Sequence, residues 1–343
     1  MGPAHGRPFE DETAGRLIEA AFDLVAAGGW ADFSLRAAAE AVGAAGLAAS
    51  HRFGDRAGLV AAVAEAALEA EALEMSRFLP GVTASGAAEL SAMLHAWLEQ
   101  RARASRRQAR VCAELIRVSH RDPALPGFGA RWLDLAGRWI GRLYPEASQG
   151  AGRSIAAFLA AETPFRLLLA DDPEFRLVSQ ESLSRAVGLA LGGRDLPPPV
   201  WLQRSLALPP PEAPAGLSGA KAAIAAAAAV LIAGDGVLAL THREIARRLG
   251  AALSSLTYHF RSLDDLVRHG FQRLFDGESV PPAAAIYELA LQALRDPGLA
   301  LLALTVRRRL ALDGPAPADF AVLGAREAER IEQIAFAQAG RPA

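Results

Sequence analysis

The sequence has almost no cysteine or lysine, few aromatic residues and no long apolar run. Among its 343 residues, Cys112 is the only cysteine and Lys221 the only lysine. A single cysteine cannot form an internal disulfide, which argues against a small disulfide-stapled secreted protein. The N-terminal residues show no basic segment followed by an apolar one, so we expect no secretory signal and a cytoplasmic protein.

Apolar residues are plentiful but never form a long uninterrupted segment. The longest run, residues 222–233, is mostly alanine and is well short of the roughly 20 residues that span a bilayer. We therefore expect no membrane partner. The composition is 52% apolar and 22% charged, which is typical of folded domains and not of disorder. The formal net charge of −2 excludes attachment to nucleic acid by overall charge, so any DNA contact has to be local.

The pattern along the chain predicts an all-α fold. Alanine and leucine dominate, and apolar positions recur at spacings of three and four. The clearest interruption is the proline-rich stretch 193–218, because proline removes a backbone donor and fixes φ. We interpret this stretch as a linker. Part of it is expected to lie against a domain surface, because it contains side chains that are costly to expose, namely Trp201, Leu202, Leu206 and Leu208.

The chain contains an internal repeat. Shifting it by about 207 residues lays residues 17–60, the first copy, over residues 224–267, the second copy, without a gap. Many matches are alanines, which this composition supplies by chance. The informative pairs are Leu24 with Leu231, Gly29 with Gly236, Arg36 with Arg243, Ala39 with Ala246, Gly43 with Gly250, Phe53 with Phe260, and Leu59 with Leu266.

Each copy has the pattern of a helix-turn-helix. A first helix ends at glycine, and a second helix begins at a good N-cap, Ser34 or Thr241. An alanine and, four residues later, a glycine allow two helices to approach and turn sharply. In the second copy we expect Glu244 to complete a capping box by bonding back to the Thr241 amide. Phe53 and Phe260 are expected to be core anchors.

The end of the second copy carries a family resemblance. Leu256–Phe260 (LTYHF) followed by Arg261–Leu266 (RSLDDL) resembles the end of the recognition helix and the start of the fourth helix in the TetR family of transcription regulators. Residues 49–59 resemble a decayed version of the same motif. The resemblance implies two TetR-like helix-turn-helix heads, each followed by a helical effector and dimerisation bundle, the second one truncated. It also implies that the chain binds double-stranded DNA, most simply as a repressor.

The resemblance assigns DNA contacts by position. In the family, the hydroxyl that caps the second helix, an aromatic near the end of the third helix and a basic residue opening the fourth helix hold phosphates. Thr241 and Tyr258 match these roles, Leu263 departs from them, and Arg261 is the substitute. Ser254, Ser255 and Thr257 are placed to face the groove. The remaining candidates are Arg243 and His259 in the second copy, and Ser34, Arg36, His51, Arg52 and Arg56 in the first.

The two copies differ in net charge and in the number of polar side chains that could contact DNA bases. The net charge is about −1 between Arg16 and Val60 and about +2 between Lys221 and Gly270. The first copy has Ser50 or His51 where the aromatic is expected, and its third helix starts with almost no polar groups. We therefore predict that DNA is bound mainly by the second copy. In each copy the polar residues have an alternative interpretation as an ordinary solvated surface.

The resemblance also implies the remaining organisation. We predict a first helix-turn-helix at 10–60, a helical effector and dimerisation domain at 61–192, the linker at 193–218, a second helix-turn-helix at 219–270 and a short helical domain at 271–343. A small-molecule effector is implied, and aromatics in the middle region either line its pocket or fill the core. The pocket candidates are Trp97, Trp132, Trp139, Phe158 and Phe165.

Other functional signals are weak. The arginine run Arg101, Arg103, Arg106, Arg107 and Arg110 is compatible with binding an anionic effector or DNA, but we favour a solvated helix face. The seven histidines show no metal-ligand spacing, and no nucleophile elbow or dinucleotide fingerprint occurs. We expect no cofactor, no metal and no enzymatic activity. Two alternatives stay open: a helical ligand- or partner-binding module that has lost DNA binding and, less favoured, an enzyme on a helical scaffold. The choice between an intramolecular pseudo-dimer and a homodimer is also open.

Overall fold

The computed structural model is built from α-helices, as predicted. It describes residues 8–44, 46–119, 122, 124–125, 127–193, 200–206, 217, 219–276 and 283–312. Within these ranges all regular secondary structure is helical. Within these ranges no helix combines the length and the hydrophobicity of a membrane span. Residues 313–343 of the predicted short helical domain and the side chains of Leu202, Leu206 and Leu208 lie outside the residues or side chains described.

Sixteen α-helices make up the described part of the chain. Nine precede the proline-rich stretch: α1 Pro8–Gly28, α2 Leu35–Ala41, α3 Gly46–Phe53, α4 Arg56–Arg77, α5 Ala87–Arg103, α6 Arg106–Val118, α7 Phe128–Leu143, α8 Gln149–Leu168 and α9 Pro173–Ala190. The others are α10 Val200–Leu206, α11 Gly219–Asp235, α12 His242–Leu249, α13 Leu253–His259, α14 Leu263–Phe275, α15 Ala283–Ala293 and α16 Ala300–Leu312.

The proline-rich stretch contains a helix, α10, that the composition did not predict. The helix lies between two groups of prolines, so no proline interrupts its hydrogen bonds. Its first amides are capped by a distant side chain, because Glu181 Oε1 on α9 accepts from the backbone N of Val200 at 2.6 Å and of Trp201 at 3.3 Å. The helix packs on α9 and α16. This part of the stretch therefore lies against the protein surface, as predicted, but it is helical.

Two apolar clusters form the core. The larger one is built from helices α1 to α9, and the smaller one surrounds the second copy together with α15 and α16. Phe165 from α8 and Phe175 from α9 belong to the smaller cluster. The second copy therefore completes its core with side chains from the first half of the chain.

The helices after the second copy pack on the first half as well. α15 contacts α8 and α6, and Tyr287 on α15 donates to the Ala113 carbonyl at 3.2 Å. Arg295, just after α15, lies 3.5 Å from Asp32 in the first copy. These contacts place both copies on one shared helical body. The domain limits given above remain predictions.

Candidate nucleic-acid interface

The second copy contains two short helices that meet at a sharp turn. Thr241 caps α12, its hydroxyl accepting from the Glu244 amide at 3.1 Å. Gly250 ends α12 in the left-handed region with φ +62°, a conformation that costs glycine little. The Ala251 amide then donates to the Ala246 carbonyl at 3.0 Å, and α13 starts at Leu253. The cap and the turn are those predicted from the sequence.

Apolar side chains on one face hold this pair of helices in place. Ile245 and Ala246 from α12 and Leu256 from α13 are buried in the smaller cluster. Phe260 is fully buried, which confirms it as a core anchor. The Lys221 ammonium lies 5.2 Å from its ring centroid. With its apolar face buried, the opposite face of α13 is presented to solvent.

The predicted contact residues of the second copy lie on this outer side. Tyr258 is 81% exposed, although its ring is large and largely apolar. His259 is half-buried and packs edge-on against Tyr258, with centroids 5.2 Å apart. The exposed candidates are Thr241, Arg243, Ser254, Ser255, Thr257 and Arg261. Sequence reasoning missed Leu253, the first residue of α13, which is 46% exposed.

The predicted capping box is wrong in one of its two bonds. Glu244 does not return to Thr241, because its carboxylate accepts from two arginines. Arg247 donates to it at 2.6 and 2.9 Å, and Arg248 at 2.9 Å. These hydrogen bonds lower the pKa of Glu244 to about 2. Arg248 also donates to Asp235 at 2.7 Å, so part of the positive charge of α12 is neutralised within the copy.

The first copy has the same cap and turn but uses its cations differently. Ser34 accepts from the Ala37 amide at 3.0 Å, and Gly43 has φ +66°. Arg36 donates to Glu40 at 2.7 Å, and Arg56 donates to Asp122 at 3.0 Å. Arg36, His51, Arg52 and Arg56 are exposed, Ser34 is half-buried, and the side chains of residues 45–49 lie outside those described.

The interpretation of the arginine run as a solvated helix face is wrong for Arg101, which is buried, whereas Arg103, Arg106 and Arg107 are exposed as expected and Arg110 is half-buried. Arg101 is 2% exposed and donates to Glu71 at 2.6 Å. Arg106 donates to the Leu167 carbonyl at 2.6 Å. Arg107 joins α6 to α1, with hydrogen bonds to Asp23 at 2.7 Å and Glu19 at 2.8 Å. The guanidinium groups of Arg101, Arg106 and Arg107 link helices, because each of the three meets an acceptor that is far away in sequence.

The predicted pocket aromatics do not all lie together. Trp97 and Trp139 pack at 4.9 Å between centroids, and Trp132 donates to Glu71 at 2.8 Å, all three being fully buried. Phe158 is in the same cluster, whereas Phe165 is in the other one. The indole N–H groups of Trp97 and Trp139 and the Nε of Arg101 have no hydrogen-bond partner among the described residues. Buried donors of this kind are costly unless another molecule satisfies them.

Residues 224–269, which include all of the second copy, match the family model for bacterial regulatory proteins of the tetR family. Among solved structures, a member of the TetR family from Streptomyces coelicolor A3 is 24% identical, over 52% of this chain and 98% of that chain, with a TM-score of 0.40. None of the curated proteins matches this chain significantly. Within the described residues no group of three or more His, Cys, Asp or Glu side chains is placed to hold a metal ion. The second copy is thus similar over its whole length to the tetR family of bacterial regulatory proteins.

Proposed function

We propose that this protein is a transcriptional repressor, not an enzyme, and that it binds duplex DNA mainly through the second copy. The observation that carries the proposal is the tetR family match at residues 224–269, on a helix-turn-helix whose polar side is exposed. The 81% exposure of Tyr258 supports it, because such a ring is stabilised when a partner covers it.

The exposed groups of the second copy divide into those suited to phosphate contacts and those suited to base contacts. Thr241, Tyr258 and Arg261 supply two hydroxyls and a cation for phosphates, which sets affinity and register. Ser254, Ser255 and Thr257 supply hydroxyls for base edges in the major groove. Leu253 offers an apolar contact to a thymine methyl group.

The first copy has a lesser role in this proposal. Arg36 pairs with Glu40, and Arg56 pairs with Asp122, so two of its candidate phosphate contacts are already engaged. Fewer neutralised phosphates mean weaker binding and a shallower salt dependence. We therefore expect an asymmetric operator, read mainly by the second copy.

We also propose that the two copies work as an intramolecular pair. Support comes from α10 and α16, which pack together beside α9, and from α15, which covers α8. A chain that already carries two heads needs no second chain to contact two half-sites. Sedimentation of the complex with operator DNA is expected to give one chain per duplex.

An effector site in the first half completes the proposal. The unpartnered donors of Trp97, Trp139 and Arg101 suit a small effector with an anionic or carbonyl acceptor. Arg101 lies 4.7 Å above the Trp97 ring, so these donors are close together. Binding there is expected to weaken operator affinity by linkage.

The test is selection of bound duplexes from a random pool, followed by footprinting and fluorescence anisotropy with the selected duplex. Tyr258→Ala is expected to weaken binding by at least about tenfold, a loss of one good contact, while Ser50→Ala changes it little. Equal losses, or a palindrome protected equally on both sides, contradict the ranking of the copies. Salt-independent or absent binding favours the alternative, a helical ligand- or partner-binding module.

A further inference from the structure

A cleft of about 830 Å³ lies between the two copies. Its size is within the range of small-molecule sites. Side chains from three parts of the chain line it: Trp30, Phe33 and Arg56 from the first copy, Asp235 and Leu238 from the second copy and the turn that precedes its α12, and Asp122 after α6. This cleft is separate from the buried tryptophans proposed as the effector site.

The contacts of Arg56 inside the cleft indicate which kind of ligand the cleft can bind. Trp30 and Phe33 are stacked, with centroids 5.0 Å apart and an interplanar angle of 26°. The Arg56 guanidinium lies 5.4 Å from both ring centroids. Its Nη1 also donates to Asp122 Oδ2 at 3.0 Å. A flat cation is therefore held by two aromatic rings and one carboxylate, the usual elements of cation recognition.

Arg117, the other cation among the described residues that line the cleft, is already paired. Arg117 donates to Glu114 at 2.5 and 2.9 Å and is 8% exposed. It is therefore held away from a ligand that enters from solvent.

The remaining anions leave the cleft negative once Arg56 is removed. Asp235 accepts from Arg248, and Asp55 caps α4 by accepting from the Gly58 amide at 2.9 Å. Among the residues that the structure describes, Asp122 Oδ2 then has no cationic partner. The place left by the Arg56 guanidinium, beside the Asp122 carboxylate, therefore favours a positively charged ligand.

We propose that the cleft binds a small organic cation with a flat apolar body, which takes the place of Arg56 on Trp30, Phe33 and Asp122. The Arg56 side chain is 45% exposed, so it can leave the rings by side-chain rotation alone. The apolar body of the ligand then contacts Leu238 and Ala239 on the opposite wall. Because these walls belong to different copies, one ligand touches both.

The experiment uses benzamidinium as the probe and isothermal titration calorimetry on the full chain without DNA. Arg56→Ala is expected to bind benzamidinium at least about tenfold more tightly than the wild type, because the internal competitor is removed. Arg36→Ala is the matched control, an exposed first-copy arginine outside the cleft, and is expected to behave as the wild type. Thermal unfolding checks each variant, and Arg56→Gln replaces Arg56→Ala if the latter does not fold.

Two further titrations test the charge and the position of the site. Asp122→Asn in the Arg56→Ala background is expected to lose most of the gained affinity, and benzoate is expected not to bind. Unchanged affinity in Arg56→Ala, or benzoate binding that depends on Arg56, overturns the proposal. None of these measurements involves DNA, so failure of the proposed DNA binding and failure of this site are distinguishable.

Discussion

Arg307 on α16 donates two hydrogen bonds to a single carboxylate oxygen of Glu162 on α8, from Nε at 3.3 Å and from Nη2 at 3.2 Å. The side chains are 7% and 4% exposed. Ser179 on α9 donates to the other oxygen of Glu162. One buried carboxylate thus connects the last described helix to the two helices at the centre of the chain.

This relationship predicts a large effect of Arg307→Met on stability. The variant removes the guanidinium that donates to the buried Glu162 carboxylate, a loss of about 3–5 kcal/mol in the free energy of unfolding. Urea denaturation followed by circular dichroism measures it. The control is Arg103→Met, since Arg103 is 52% exposed and pairs with an exposed Asp171, and its loss is expected within about 1 kcal/mol. Equal losses in the two variants refute the prediction.

A second prediction concerns the charge of α12. At neutral pH the Glu244 carboxylate neutralises charge on Arg247 and Arg248. Glu244→Gln is expected to raise affinity for random duplex DNA and to steepen the logarithmic salt dependence by about one. Anisotropy titrations between low and moderate salt measure both quantities. Glu40→Gln is the matched control in the first copy, and a response as large as that of Glu244→Gln would mean that both copies bind DNA equally.

A third prediction concerns pH. Burial, and then the Arg166 guanidinium that lies 2.8 Å from Nδ1, lower the pKa of His95 to about 4. The unfolded chain binds the proton below about 6.5 and the folded chain only below about 4. Between these values the unfolded state holds more protons, so stability rises with pH.

The measurement is the free energy of unfolding at several pH values from 4 to 7. A decrease of roughly 1–3 kcal/mol toward pH 4 is expected from this group, with partial exposure reducing the upper figure. His95→Gln, which does not titrate, is expected to flatten this part of the profile. An identical profile in the variant would show that other groups cause the pH dependence.

A fourth prediction uses two glycines of opposite type. A Cβ at Gly250 meets no atom within 4 Å, so the cost of Gly250→Ala comes from φ +62° alone, about 1 kcal/mol. Gly250→Asn is expected to cost less, because asparagine tolerates this region. Gly15 lies inside α1 with equally open space, and Gly15→Ala is expected to stabilise by roughly 0.5–1 kcal/mol. Thermal unfolding tests the signs, and two shifts in the same direction contradict the argument.

The local parts of the candidate site were predictable from sequence. Ser34 and Thr241 cap helices because a hydroxyl just before a helix can accept from a free backbone amide. Gly43 and Gly250 adopt positive φ because glycine, which has no Cβ, adopts this conformation at little cost in free energy. Phe260 was predicted to be buried from its position in the motif. Each of these inferences depends on neighbours within a few residues.

The hydrogen-bond partners of the charged side chains were not predictable from the sequence. The sequence favours a solvated position for Arg101, yet this residue is buried against Glu71, 30 positions away. The Glu244 carboxylate accepts hydrogen bonds from Arg247 and Arg248, and not from the Thr241 amide as predicted. A guanidinium bonds equally well to many acceptors, so the sequence does not indicate which distant carboxylate it will meet.

The sequence by itself determined the helical class of this protein and the capped, sharply turned helix pair of the second copy, because propensity, capping and glycine conformation act over one or two turns. Only the tertiary structure decided that Phe165 completes the core of the second copy, that Arg56 is held against Trp30 and Phe33, and that the two copies enclose a cleft. Those outcomes depend on which surfaces meet when the chain packs. Burial stabilises any two complementary apolar surfaces, however far apart their residues lie along the chain.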